Sequence, residues 1–204
     1  MMKPTDILMQ EHRVIEVVLD CLEGIVGEAI SQGRLDQDAA GQALDFFKMF
    51  ADTCHHGKEE VHLFPMMEAK GFHRENGPTG QMLLEHEEGR AHIQGMREAL
   101  EQAGAGDKEA LMQFARHANA YVRLLRDHIS KEDHCLFPMA NQAMSEADQQ
   151  DLASRFHHVE SQEMGEGTHE RYLAIAEALA AKYNVEGSAA LAAAGTCACH
   201  HHSH

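Results

Sequence analysis

Residues 55–66, HHGKEEVHLFPM, return at 128–139 as HISKEDHCLFPM. Both copies keep a His, a Lys three residues on, a Glu four residues on, and a closing Leu-Phe-Pro-Met, while the places between them drift. Imidazoles and carboxylates are side chains that hold cations. In a helix, positions four apart share one face, about 6 Å apart along the axis. His55 with Glu59 and His128 with Glu132 therefore each offer a nitrogen and a carboxylate to the same space. A single such pair reads as a solvated contact contributing about 0.2–0.5 kcal/mol. Two copies in one register point instead to two walls of one metal site. His56 with Glu60 has the same spacing, but His56 aligns with Ile129, which cannot ligate, so the repeat selects His55 with Glu59.

The elements that must position these residues follow from apolar recurrence at three- and four-residue intervals almost throughout, with no segment of convincing period two. The pattern predicts an all-α chain. A first helix starts at Thr5 or Asp6, carries Leu8, His12, Ile15, Leu19 and Leu22, and stops near Ser31 before Gly33. A second runs from about Asp38 to Lys70, with Gly71 as its cap and a kink or break expected at Pro65. A third opens at Pro78, carries His86 inward, and ends at GAGD, whose Asp107 caps a fourth bearing His128 and Glu132. Four helices with such short loops pack as an up-down-up-down four-helix bundle over residues 1–144. An additional C-terminal helical segment, interrupted at the GEG of 165–167, is expected over 145–183, and disorder over the Ala/Cys/His tail, 184–204.

Each helix of that bundle presents one inward His, and two add a Glu. Buried carboxylates without partners cost several kcal/mol, so two of them facing a bundle centre beside four imidazoles call for cations. The set is too rich in nitrogen for Ca²⁺ or Mg²⁺ and lacks the thiolates of structural zinc. Two carboxylates bridging two ions suit iron.

His12, then HHGKEEVHLFP, then EHEEGR, then HISKEDHCLFP, in this order over residues 5–140, resembles the bacterial hemerythrin-like (HHE cation-binding) family. The resemblance implies a four-helix bundle around a non-haem di-iron centre with an oxo or hydroxo bridge. Its ligands would be His12, His55, Glu59, His86, His128 and Glu132, both Glu residues bridging. Oxygen-carrying members have a second His four residues after the third-helix His; here that place is Arg90, which cannot ligate. One ion is thus left short of a ligand, to be supplied by water, hydroxide or an unexpected side chain. The implied function is binding or sensing of a small ligand (O₂, NO or peroxide). The alternatives are a di-iron oxidoreductase removing peroxide or nitric oxide and an iron storage or donor protein.

Lesser candidates surround this set. Tyr121 and His117 lie on the His128 stripe as proton carriers or packing groups, Glu16 follows His12 by four, and His169 could close the bundle end. CACHHHSH at the C-terminus could capture metal. Cys21, Cys54 and Cys135 read as buried reduced thiols. A formal charge of −16, spread along the chain, repels phosphate and argues against nucleic acid and anionic lipid. No export signal or run of about eighteen apolar residues is visible, so a cytoplasmic protein is expected. A protein partner or second copy would meet the C-terminal helical segment.

Overall fold

The computed structural model describes residues 2–159, 167–187, 190–192 and 194. As expected, the fold is an all-α bundle with further helices, and no strand occurs among the described residues. The first rod is α1 (Pro4–Gln32), starting one or two residues before the expected Thr5 or Asp6; Pro4 occupies its first turn and Asp6 accepts from the Lys3 amide at 2.8 Å. Gly33, at φ 72°, ends it in the left-handed conformation that glycine adopts without penalty.

The second rod spans 37–69 and changes its winding along the way. It opens as α2 (Gln37–Phe46), widens into π-helix over Phe47–His56, widens again over Glu59–Leu63, and closes as α3 (Phe64–Ala69). The third rod is α4 (Pro78–Gly104). The fourth is α5 (Lys108–Lys131), a π turn at Glu132–Leu136, and α6 (Phe137–Ala143), with Asp107 capping α5 through Ala110 N–H at 2.8 Å.

Pro65 does not break the second rod. Leu63 and Phe64 keep right-handed helical dihedrals, and the proline lies in the first turn of α3 directly after a π turn. The reason is steric: a helical proline offers no amide and crowds the carbonyl four residues back. The π turn relieves that crowding by sending Phe64 N–H five residues back to Glu59 O. Pro138 repeats the solution, with Phe137 N–H reaching Glu132 O. Leu-Phe-Pro thus marks a π turn beginning at the motif glutamate in both copies.

α7 (Glu146–His158) starts at a Ser145–Asp148 capping box, and α8 (Thr168–Tyr183) lies against α1 and α2. Two apolar cores result among the described residues. The larger holds Ile15, Leu19, Phe47, Phe50, Ile93, Met96, Leu125 and the α8 residues Tyr172, Ala176 and Leu179. The smaller joins Leu8, Phe64, Met82 and Phe137 to Leu152 and Phe156 of α7. Between them lies the layer holding the motif His and Glu.

Other expectations shift at the surface. Cys21 and Cys54 are buried free thiols, but Cys135 is exposed. Of the tail expected to be disordered, Leu191 and Ala194 are buried against the larger core, and Val185 and Ala190 pack on it. CACHHHSH and most of the break before α8 lie outside the described residues. Among the described residues no helix is long and apolar enough to cross a membrane.

Candidate metal centre

The six residues expected at the site converge from all four rods, and each is at most 1 % exposed. Their imidazoles are fixed by carboxylates at Nδ1: His12 by Asp133 at 2.7 Å, His55 by Glu11 at 2.9 Å, His86 by Glu60 at 2.7 Å and His128 by Glu85 at 2.9 Å. When Nδ1–H donates to a carboxylate, Nε2 carries the lone pair, as a metal ligand must. These Nε2 atoms face one another in pairs, His12 to His55 at 3.0 Å and His86 to His128 at 3.1 Å. Two nitrogens each about 2.1 Å from one ion, at a right angle, stand about 3 Å apart. At that distance each pair needs a positive charge between its nitrogens, a shared proton or a metal ion.

Glu59 and Glu132 sit between the pairs. Glu132 Oε2 is 3.2 Å from His12 Nε2 and 3.3 Å from His128 Nε2. The Glu59 oxygens are each 3.6 Å from an Nε2, one on His55 and the other on His86. Each carboxylate therefore touches one member of both imidazole pairs. None of these four oxygens makes a hydrogen bond of acceptable geometry, although both residues are fully buried. Buried carboxylate oxygens without hydrogen bonds are costly unless a cation meets them, so the donor set fits bound metal.

A ring of charge supports this layer from behind. Glu11 pairs with Lys58, Glu85 with Lys131, Asp133 with Arg13, and Glu60 with Arg90 at 2.6 Å. Burial would favour the neutral acids, but Lys58 and His55 hold Glu11 down at about 2, and His128 and Lys131 do the same for Glu85. Within the layer the two central acids part. Burial and the neighbouring Glu132 push Glu59 well above the carboxylate range, whereas His128 and His12 overcome burial and hold Glu132 well below it. Against burial, Glu132 and Glu85 raise His128 to about 9, and Asp133 and Glu132 raise His12 above its ordinary value. Burial brings His55 down to about 4 and lowers His86. Protons and metal thus compete for one compact set of donors.

Among the described residues two groups of donors gather ligand atoms within 4.8 Å of one another: His12, His55, Glu59 and Glu132; and His56, Glu59, His86 and His128. His56, set aside by alignment with Ile129, is thus brought to the site beside His55. The signal that alignment missed is the π-helix over Phe47–His56, which has no counterpart in regular α5. The supporting acids were legible as a repeat, since EH occurs at 11–12 and 85–86, and Lys-Glu-acid at 58–60 and 131–133.

The lesser candidates lie elsewhere. Glu16 pairs with Arg13 at 3.2 Å on the surface, and His169 packs on Phe50 with ring centres 5.3 Å apart. His117 meets His92 at 3.2 Å, and Tyr121 is buried edge-on against Phe47. None of them belongs to either donor group.

Known proteins place this architecture. The chain is 28 % identical to the uncharacterized protein Rv1995 of Mycobacterium tuberculosis and, equally, to the uncharacterized protein Mb2018 of Mycobacterium bovis. The aligned region covers 78 % of this chain and 62 % of each relative, so the chain spans less than two thirds of their length. No solved structure matches it. The hemerythrin HHE cation-binding domain matches residues 3–140, which takes in all four rods up to α6, and the chain belongs to that family.

Proposed function

We propose that this protein is a non-haem di-iron protein that binds or senses a small ligand such as O₂, NO or peroxide. His12 and His55 would hold one ion, His86 and His128 the other, with Glu59 and Glu132 shared between them. The observation that carries this reading is the pair of facing Nε2 contacts, 3.0 and 3.1 Å, with a carboxylate touching both pairs on each side. Imidazole and carboxylate without thiolate suit iron, and paired carboxylates in a four-helix bundle are a recurrent di-iron arrangement. When bound, iron supplies redox-active coordination of small ligands.

The chain's own part is to exclude and orient. The smaller apolar core covers the layer on one side, Phe137 stacking on His12 and Phe64 on His86 at centroid distances of 5.5 and 5.9 Å. Such walls favour a ligand of a few atoms over a larger substrate. The four carboxylate–imidazole pairs fix tautomer and ring orientation before metal arrives.

Metal analysis and absorption spectroscopy of the purified protein, beside Glu132→Ala, test the reading. The expected result is two irons per chain, ligand-to-metal absorption that changes reversibly on adding O₂ or NO, and loss of both features in the variant. A preparation saturated with a single ion that neither glutamate influences would sink it.

A further inference from the structure

Arg90 occupies the place four residues after His86, and its guanidinium turns away from the donor layer. Nε donates to Asp52 at 2.7 Å, and the two terminal nitrogens donate to Glu60 and Glu87 at 2.6 Å each. Glu60 holds His86, and Asp52 stands 3.7 Å from Nδ1 of His56. Arg90 thus ties together the carboxylates beside two adjacent imidazoles.

The polar neighbour of His56 Nδ1 is Asp52, beyond hydrogen-bonding distance. His56 is 5 % exposed, and its Nδ1 is buried without a hydrogen-bond partner. Its ring lies 3.7 Å from that of His86 at an interplanar angle of 14°, and 5.8 Å from that of His128. In a regular α-helix adjacent side chains diverge by about 100°, and only one of His55 and His56 would face the centre. At the end of the π-helix, whose wider winding narrows that angle, both are buried and both join the gathered donors.

We propose that His56 is the third imidazole ligand of the ion held by His86 and His128, filling from the second rod the position that Arg90 leaves empty on the third. Asp52, held by Arg90 and by Lys48 at 2.7 Å, is the positioning residue beside it. His56 has no counterpart in the other half, where Ile129 stands. The ion at His12 and His55 then has the smaller ligand set and is where an external ligand enters. This rests on the two-ion reading above.

The test uses the full chain loaded with iron, with azide as the probe ligand. Wild type is expected to hold two irons, release both slowly to a chelator, and bind one azide. His56→Gln is expected to retain its helical circular dichroism, release one iron about tenfold faster, and bind a second azide. If wild type holds two irons but already binds two azides, or if His56→Gln matches it in release and azide count, His56 is not a ligand and the two-ion reading stands. The azide count of wild type decides the matter even if the variant fails to fold. A wild type that holds fewer than two irons at saturation overturns both.

Discussion

The two halves of the bundle are built on one plan and differ at a few points. In the half containing α1 and the second rod, Glu11 grips His55 and is backed by Lys58; in the half containing α4 and the fourth rod, Glu85 grips His128 and is backed by Lys131. Across the halves, Asp133 grips His12 and Glu60 grips His86. The likeness stops at the winding. Phe47–His56 is π-helical and carries two inward histidines, while α5 stays regular and carries His128 followed by an apolar Ile129. The burial of the supporting lysines also differs: the Lys58 side chain is fully buried and that of Lys131 is 43 % exposed. A duplicated motif therefore supplies symmetric pairing, and local winding and depth make the two halves unequal.

The harshest way to break the comparison is to remove what the halves share. Glu59→Ala and Glu132→Ala should each weaken metal binding by more than about 100-fold and affect both ions, since each carboxylate touches both imidazole pairs. Isothermal titration with ferrous iron would show this, and a variant that loses one ion only would mean the carboxylates are not shared.

Lysine truncation probes the unequal depth. Lys58→Met leaves Glu11 buried and uncompensated and should cost about 3–5 kcal/mol in urea unfolding. Lys131→Met removes a partner that is itself 43 % exposed and should cost below about 1 kcal/mol. Equal losses would erase the difference in burial as a cause.

Ile129→His copies the His56 side chain into the other half. On a regular helix it enters the larger core with no acceptor and should destabilise by about 1–3 kcal/mol. Tighter iron binding in this variant would show that winding does not decide which half takes a third imidazole.

Acid titration is the gentlest probe, and it treats the halves alike. Glu11 and Glu85 both sit at about 2 against an ordinary 4.5. A depressed carboxyl stabilises the fold above its unfolded value, and that contribution is lost as pH falls through the folded value. Melting temperatures of metal-free protein should therefore fall from about pH 4.5 towards 2. Glu11→Gln or Glu85→Gln should each flatten the curve in that window, and a curve unchanged by either would remove these pairs from the acid response.

Much of this was legible in the chain because helices register polar residues at fixed intervals. His12, His55, His86 and His128 could be placed inward by counting, and Glu59 and Glu132 followed four residues behind two of them. The bundle followed from Gly33, Gly71 and GAGD at the rod ends. What uniform α-geometry missed is that Pro65 does not break its rod, that His56 joins His55 among the gathered donors, and that Cys135 is exposed. Each lies in or beside a stretch where the ladder slips from four residues to five. Hydrophobic periodicity carries little trace of such a slip, because it is settled by packing and by proline's missing amide.

The sequence by itself determined the fold class, the repeat, and the chemistry of the donors, because these depend on residue type and on intervals along one helix. Only the tertiary structure decided which nitrogen of each imidazole faces inward, which carboxylate touches both pairs, and that Arg90 supports the site from behind. Those outcomes depend on partners more than twenty residues away, such as Glu60 for His86 and Asp133 for His12, and on a π-winding that turns a second histidine toward them.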